Sequence, residues 1–344
     1  MRDGGVQRGR GDDRGRREAT RLEGTRLEAT EEDLVTRIAW LYYKEKLTQA
    51  EIANEVSLSR QKVQRFLEKA RDLEIIRFTV KHPYANLLTV EGALKEKLGL
   101  KDSVVVPSAS PDAEALRQSF AMAGAAYLER KLSGMKKCIL GLGWGNTTAY
   151  LADYFEPQQL SCKAQVASLI GNLMVNVTMN PYLTGEKIAR RLGAPFYNIW
   201  APAIAQTKER AEVFRSEPWI RQVIDIGRRA DVILLSLGEA SRSASLFKMG
   251  YLSAEDLQRL IRKGAVGDIL SRFMDAEGNI VADEIHDRVI AIPVEALQQE
   301  GKLVIGVAGG MSKVAAIRAA VRRGYINVLI TDESTAGELL RSVP

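Results

Sequence analysis

The stretch CILGLGWGNTTAYLADYF, residues 138–155, joins an apolar run to a glycine-rich loop and then to a segment of helical character. The run at 138–140 is typical of a buried strand, and the glycines of GLGWG allow close approach of the backbone to a ligand. Thr147 and Thr148 add hydroxyl donors where the helix would begin. A strand, a glycine loop and a helix in this order predict an α/β unit that holds an anion.

The same alternation of apolar runs and helical segments continues on both sides of this stretch, over residues 101–344. It predicts an open, doubly wound α/β domain with ligands at the carboxyl ends of its strands. The predicted strands are Ser103–Pro107, Cys138–Gly143, Gln165–Asn172, Phe196–Trp200, Val232–Gly238, Val289–Pro293, Leu303–Ala308 and Val328–Thr331.

Two nucleotide-binding motifs fit the loop at 141–148 poorly. The third glycine of a dinucleotide fingerprint would fall at Asn146, and no carboxylate for a ribose follows near Ile170. A Walker A loop fails because no lysine follows the glycines. We therefore expect no nucleotide cofactor but a smaller phosphate cradle, shared with Lys313 after Gly309 and Gly310. Alternatively, the glycines only shape a turn and Lys313 is solvated.

Three further polar positions carry open alternatives. Asp268 can accept hydrogen bonds from sugar hydroxyls or simply cap the segment Ile269–Phe273, and Asn172 has the same ambiguity. Asp283 and His286, in the segment DEIHDR, suggest acid–base chemistry, but their polar context favours a surface loop.

The segment before the α/β domain has the pattern of a helix-turn-helix, LTQAEIANEVSLSRQKVQRFL at 47–67. Thr30 and Thr48 each stand three residues before an acid, the spacing of a capping box, and Ser59 can cap the next helix. Ala53 is small enough for a tight helix crossing, with Val63 facing inward. The outward side chains then suit contacts in a DNA major groove; a solvated helix of an ordinary bundle is the alternative. The candidate DNA-binding residues are Thr48, Gln49, Ser59, Arg60, Gln61, Gln64 and Arg65.

The chain divides by pattern into four parts. Residues 1–30, with eight arginines, six acids and six glycines, predict a disordered arm. Residues 31–82 form the helical domain and include a short strand, Ile75–Lys81, as a rudimentary wing. Residues 83–100 form a linker helix, either a dimer seam or a packed connection, and residues 101–344 form the α/β domain.

Composition narrows the function further. No run approaches the roughly 18 apolar residues of a membrane helix, and no signal-peptide core is present. Two cysteines and two histidines are too few for a disulfide framework or for a metal site built from Cys and His ligands. We expect a cytoplasmic protein without metal or cofactor.

The motifs together resemble the SorC family of sugar-binding transcriptional regulators, from about Leu34 to Leu340. Besides the helix-turn-helix and GLGWGNTT, the resemblance is carried by GAVGDILSRFMDAEG at 264–278 and AGGMSKVAAIRAAVRRGYINVLITDESTA at 308–336. It implies an effector domain related to sugar-phosphate isomerases and deaminases, retained as a sensor. Some relatives hold their effector through a lysine in the glycine loop, where this chain has Asn146.

The resemblance also implies roles for individual residues and partners. Phosphate contacts would come from the two loops and a sugar-hydroxyl contact from Asp268, and relatives assemble as dimers or tetramers on palindromic operator DNA. The candidate effector-binding residues are Gly143, Gly145, Asn146, Thr147, Thr148, Asn172, Asp268 and Lys313.

We therefore expect a homo-oligomeric regulator of carbohydrate metabolism, not an enzyme, whose operator binding responds to a sugar, polyol or sugar phosphate. The alternative is a sugar-phosphate isomerase or deaminase with an accessory helical domain, for which Asp268 is the best-placed acid or base. A scaffold protein would leave the glycine and lysine loops without a purpose.

Overall fold

The computed structural model describes residues 30–76, 85–108, 113–157, 162–173 and 180–341. The chain forms two compact units, Met1–Lys81 and His82–Pro344. The predicted disordered arm, except Thr30, lies outside the described residues, as does most of the predicted wing.

The small unit consists of three helices, α1 (Glu31–Tyr43), α2 (Gln49–Glu55) and α3 (Arg60–Asp72). Thr30 and Thr48 form the two predicted capping boxes, and the Ser59 side chain accepts a hydrogen bond from the Lys62 N–H. These caps satisfy backbone donors that a helix start leaves unpaired. The predicted helix-turn-helix pattern is confirmed.

A small apolar core holds the three helices together. Each helix contributes fully buried side chains, and Ala53 lies buried on α2 as the crossing requires. Ser57, between α2 and α3, has a φ of 53°, the left-handed conformation of a tight turn. The most deeply buried members of this core are Val35, Ile38, Ile52, Val63 and Ala70.

The large unit is built on a seven-stranded parallel sheet of order β1-β10-β9-β5-β2-β3-β4. Its strands are β1 (Asp102–Val106), β2 (Lys137–Leu142), β3 (Lys163–Ser168), β4 (Phe196–Tyr197), β5 (Val232–Leu235), β9 (Leu303–Val307) and β10 (Val328–Asp332). A second, three-stranded antiparallel sheet contains β6 (Leu237–Glu239), β7 (Gly267–Ile269) and β8 (Arg272–Met274).

Helices connect and cover these strands. They are α4 (Ala85–Leu98), α5 (Ala113–Ser133), α6 (Asn146–Tyr154), α7 (Pro181–Leu192), α8 (Lys208–Ser216), α9 (Pro218–Arg228), α10 (Ser245–Lys248), α11 (Ala254–Arg262), α12 (Val314–Arg322) and α13 (Glu333–Arg341). Short 3₁₀ turns lie at Glu284–Arg288, Val294–Gln298 and Met311–Lys313.

Strand β5 shows why the sheet is doubly covered. Its four residues are all buried, and they alternate between two cores: Val232 and Leu234 belong to one, and Ile233 and Leu235 belong to the other. Successive side chains of a strand point to opposite faces, so both faces of the sheet lie under apolar layers. The predicted doubly wound α/β class is confirmed.

Some predicted elements differ in the structure. Val289–Pro293 forms no strand; Val289 and Ala291 make only isolated bridges to Ile204 and Ile170. This run is buried between loops, and its apolar character reflects burial rather than pairing. The strands predicted at 165–172 and 196–200 end four and three residues earlier, at Ser168 and Tyr197.

Helix α4, predicted as a linker helix, packs on the large unit. It contacts β1 and α13, and its residues Leu87 and Leu94 are buried in the core of that unit. This placement favours the packed connection over a dimer seam for these two residues, while Leu88 remains 64% exposed.

The two cysteines lie in the buried sheet. Cys138 and Cys162 are free thiols with sulfur atoms 3.4 Å apart. Burial, together with the neighbouring Cys162, raises the pKa of the Cys138 thiol to about 12, so this thiol stays protonated. Within the described residues, no helix is long and apolar enough to cross a membrane.

Candidate functional site

The first candidate site is the exposed face of α3, here called the recognition face: Ser59, Arg60, Gln61, Gln64 and Arg65. All five residues are exposed, while Val63 and Phe66 between them are buried. Thr48, at the start of α2, is also exposed, and Gln49 is half-buried. Amide and guanidinium groups thus project from one helix whose other face is fixed by the core.

The charge of the recognition face is available for a partner. Among the described residues, Arg60 and Arg65 are in no ion pair, whereas Lys69, one turn further on, pairs with Glu31 at 3.0 Å. Gln64 donates a hydrogen bond to Glu68 at 3.1 Å. A free arginine suits bidentate contacts with phosphate or with a guanine edge.

The second candidate site is a cavity of about 720 Å³ in the large unit, here called the main cavity. It lies where the loops that follow β2, β5 and β9 meet, at the carboxyl ends of these parallel strands. Helix α5, the segment at 243–249 that contains α10, and the hairpin of β7 and β8 complete its wall. Gly145, Asn146, Thr147, Asp268 and Lys313 of the predicted residues line it.

The glycine loop is shaped by close contacts. Gly145 has a φ of 148°, and a Cβ on it would lie 2.8 Å from the Cβ of Ser236. A Cβ on Gly143 would lie 2.8 Å from the Cβ of Leu235. Both positions therefore require glycine, Gly145 at the cavity and Gly143 in the packing beneath it.

Helix α6 begins at this loop without a side-chain cap. Thr147 lines the main cavity, but the Thr148 hydroxyl donates to the Gly145 carbonyl at 2.9 Å and does not line the cavity. An uncapped helix N-terminus presents free N–H groups and a partial positive charge. The loop can therefore bind an anion through the backbone and Thr147, with Thr148 holding the loop in shape.

The loop before Lys313 is held by a buried carboxylate. Asp332, at the end of β10, accepts hydrogen bonds from the Gly310 N–H at 2.9 Å, from the Thr335 hydroxyl at 2.5 Å and from Ser108 at 3.1 Å. Burial raises the pKa of Asp332, but these bonds outweigh it and lower the pKa. Gly310, with a φ of 92°, turns the chain into the cavity wall. The loop is therefore fixed before any ligand binds.

Lys313 is half-buried on this wall. Burial lowers the pKa of its ammonium group, opposed by the charges of Glu239 and Asp268. Among the described residues, this ammonium group has no hydrogen-bond or ion-pair partner. A buried cation without a partner is costly, so an anionic ligand group would gain a strong contact here.

Asp268 lies on β7 rather than at a helix start, so the alternative that it caps a helix at 269–273 is wrong. Ile269 and Arg272 face each other in a hairpin, and the two turn residues, Leu270 and Ser271, have positive φ values of 49° and 62°. This is the pattern of a type I′ turn. The Asp268 side chain accepts a hydrogen bond from the Ser271 N–H at 3.1 Å, which aims the carboxylate at the cavity edge.

The Asp268 carboxylate is buried against a glycine on the neighbouring strand. A Cβ on Gly238, its cross-strand partner, would lie 1.8 Å from Asp268 Oδ1. Burial raises the pKa of Asp268 to about 6, against the lowering effects of the Ser271 bond and Lys313. A sugar hydroxyl could donate to this poorly solvated oxygen.

Three residues that line the main cavity belong to no sequence motif, and the sequence analysis did not predict them as site residues. Arg117 on α5, Ser236 between β5 and β6, and Glu239 on β6 line the main cavity. The Arg117 Nε, the Ser236 hydroxyl and one Glu239 carboxylate oxygen are buried and have no hydrogen-bond partner in the part of the chain that the structure describes. Glu239 follows a predicted strand directly, and this position was the one available signal.

Asn172 is not brought to the main cavity. Its side chain donates to the Ile199 carbonyl at 2.9 Å, and its backbone bridges to Pro202. The DEIHDR segment is not a plain surface loop either. Asp283 has a fully buried side chain that pairs with Arg259 and Lys263, both at 2.9 Å, and burial lowers the pKa of His286 to about 4.

Comparison with known proteins identifies the large unit. A sugar-binding domain model, Sugar-bind, matches residues 82–341. The deoxyribonucleoside regulator of Bacillus subtilis is 30% identical over 319 residues, which cover 92% of this chain and 100% of that protein. The chain belongs to the SorC family of sugar-binding transcriptional regulators.

Further SorC-family relatives match about nine tenths of this chain. The transcriptional regulator LsrR of Escherichia coli is 35% identical over 320 residues, which cover 91% of this chain and 96% of LsrR. The crystal structure of the full-length sorbitol operon regulator SorC from Klebsiella pneumoniae superposes with a TM-score of 0.69 at 27% identity, covering 89% of this chain and 98% of SorC. The predicted sugar-responsive transcriptional regulator is confirmed.

The stability of this SorC-family chain should depend on the charge of the Asp268 carboxylate. Because the pKa of this carboxyl is raised from 3.8 to about 6 in the folded protein, the free energy of unfolding falls as pH rises through that window. Asp268→Asn should then stabilise the protein by up to about 3 kcal/mol at pH 7.5, with no difference below pH 3.8. Thermal melts across pH measure this effect.

The matched control for Asp268→Asn is Glu300→Gln, an exposed carboxylate on the same unit. A melting temperature of Asp268→Asn that does not exceed that of the control at pH 7.5 would contradict the buried-carboxylate interpretation.

Proposed function

We propose that the chain binds operator DNA through the recognition face and that a phosphorylated sugar or polyol in the main cavity changes this affinity. One observation favours a phosphorylated effector over a free sugar or polyol. The uncapped N-terminus of α6 and the unpartnered Lys313 line the same cavity wall as Asp268.

The phosphate end of the effector would bind at α6. Backbone N–H groups of Asn146 and Thr147, the Thr147 hydroxyl and the α6 dipole favour a dianion. Lys313 adds a point charge, and Arg117 adds a fork of donors from α5. The low local polarity of the half-buried wall makes each charge-assisted bond stronger than it would be in water.

The hydroxyl end of the effector would bind at Asp268 and Glu239. Both are carboxylates that accept hydrogen bonds, and one oxygen of Glu239 is buried without a partner. The Ser236 hydroxyl, also unpartnered, could donate or accept. A ligand that satisfies all three groups must carry several hydroxyls at fixed spacing, as sugars and polyols do.

On the DNA side, α3 would enter the major groove. In a homo-oligomer, a dimer or a tetramer, two α3 helices about 34 Å apart would contact successive major grooves of a palindromic operator. A coupling of about 1–3 kcal/mol between effector and DNA is enough for a switch. A protein that binds operator DNA in this way would work in the cytoplasm.

We propose sensing rather than turnover in the main cavity. Moving a proton between neighbouring sugar carbons needs a placed acid or base, and the carboxylates of the main cavity are Asp268 and Glu239. His286, which could have supplied a second group, lines a different pocket. Assays with pentose and hexosamine phosphates should therefore show binding without product, and detectable turnover would contradict this proposal.

A thermal-shift series with matched pairs of free and phosphorylated pentoses, hexoses and polyols tests the effector class. A ligand at 100 times its dissociation constant stabilises by about 2.7 kcal/mol, which corresponds to roughly 5–10 °C in this unit. We expect such a shift from a phosphorylated compound only. A shift from the free sugar alone would contradict the phosphate roles of Thr147 and Lys313.

A further inference from the structure

A second pocket of about 500 Å³ in the large unit shares no lining residue with the main cavity. It lies between α9, strand β8 and the loop at 291–295. We call it the basic pocket, because arginines dominate its polar lining. These arginines are Arg215, Arg221, Arg228 and Arg272, and the pocket's carboxylates are Asp225 and Glu295.

Three of the arginines are held by backbone carbonyls rather than by carboxylates, and one of them, Arg221, donates to the Arg215 carbonyl at 3.3 Å. Arg272 donates to the Ile292 carbonyl at 3.1 Å, and Arg215 donates to the carbonyls of Asp287 and Val289, both at 3.0 Å. Carbonyl contacts fix the plane of a guanidinium group but do not neutralise it. Each group keeps further N–H donors that can reach a ligand.

The charges in the basic pocket are not balanced. Asp225 is 3.6 Å from Arg228, which leaves one carboxylate, Glu295, for three arginines. Among the described residues, Arg215, Arg221 and Arg272 are in no ion pair. Burial lowers the pKa of Arg272 to about 10; the charge of Glu295 opposes this shift, and the smaller effect of the Arg215 charge adds to it. Two like charges within electrostatic reach of each other therefore share a half-enclosed site.

We propose that the basic pocket binds a small, multiply charged anion, a phosphate ester or a polycarboxylate, as a second ligand distinct from the effector. The volume suits a metabolite-sized molecule, and guanidinium forks match phosphate and carboxylate oxygens in bidentate geometry. The two pockets share no lining residue, so this proposal does not depend on which ligand the main cavity binds.

The hairpin of β7 and β8 links the two sites. Arg272 on β8 lines the basic pocket, while Asp268 on β7, four residues earlier, lines the main cavity. The paired residues Ile269 and Arg272 close the turn between them. One short hairpin thus supplies a side chain to each pocket.

Calorimetric titration of the full-length chain tests the proposal, with inorganic pyrophosphate and citrate as separate probes. The titrations use Lys313→Met as background, to weaken phosphate binding in the main cavity. We expect saturable binding that Arg221→Ala and Arg272→Gln each weaken at least tenfold. Glu295→Gln should tighten it severalfold, because it removes the unpaired carboxylate. A preference for pyrophosphate or for citrate tells which anion class the pocket takes.

The control is Arg190→Ala, an exposed arginine on α7 outside both pockets. Its affinity for the probes should equal that of the background. Absence of saturable binding, or equal losses in Arg190→Ala and Arg221→Ala, would overturn the proposal. Arg221 is exposed, so this comparison stands even if Arg272→Gln melts early.

Discussion

Lys313→Met is expected to weaken binding of the phosphorylated effector by about 30- to 900-fold, equivalent to about 2–4 kcal/mol. The wild-type ammonium lies half-buried on the cavity wall without a partner among the described residues. Without this contact, part of the charge of the bound phosphate would be neither neutralised by the protein nor well solvated. Methionine keeps the length and the apolar stem, so the wall should retain its packing.

The control for this prediction is Lys248→Met. Lys248 also lines the main cavity but is exposed on α10, where solvent screens its charge. We expect less than a threefold loss for this variant in effector titrations. Equal affinities of Lys313→Met and the wild type would show that the phosphate binds elsewhere.

Loss of the Lys313 charge should leave the folded state intact or slightly more stable. An unpartnered ammonium group destabilises a half-buried site, and its removal creates no unpaired acceptor. Operator affinity in the absence of effector should also stay at the wild-type level. The variant therefore separates ligand sensing from DNA binding.

Arg60→Ala and Arg65→Ala should each weaken operator binding by about 1–3 kcal/mol, roughly 5- to 150-fold. Both guanidinium groups lie on the recognition face without an intramolecular ion pair among the described residues. The double variant should lose nearly all sequence-specific binding and should show a shallower salt dependence if phosphates are contacted. Gel-shift titrations at several salt concentrations measure both quantities.

Arg37→Ala is the matched control for the recognition face. Arg37 is an exposed arginine of the same unit, but it lies on α1 and pairs with Glu55 at 3.4 Å. Its loss should change operator affinity by less than threefold. Effector binding should be unchanged in all three variants, and wild-type gel shifts for both Arg60→Ala and Arg65→Ala would refute the placement of α3 on DNA.

The sequence predicted best what short-range chemistry decides. The two capping boxes at Thr30 and Thr48 involve residues three apart, and the inward position of Val63 follows from helical spacing. The glycine loop before α6 could likewise be predicted from the sequence, because Gly145 must adopt a backbone conformation that is open mainly to glycine.

Features that depend on contacts between distant segments could not be predicted in the same way. The hairpin at Asp268 turns through Leu270 and Ser271, neither of which is a usual type I′ residue. Thr147 and Thr148 look equivalent in sequence, yet one lines the main cavity and the other holds the loop. Arg117 joins the site only because α5 packs beside the loops, a fact with no local pattern.

Ser236 is the single residue between β5 of the parallel sheet and β6 of the antiparallel sheet. The main cavity therefore lies at a joint between two separately hydrogen-bonded sheets. A ligand that forms a hydrogen bond with Ser236 and also contacts both α6 and the hairpin would connect the two sheets to each other. Ligand binding would then stiffen the connection between the two sheets, and this effect would be measurable as slower amide hydrogen exchange in β6 and β7.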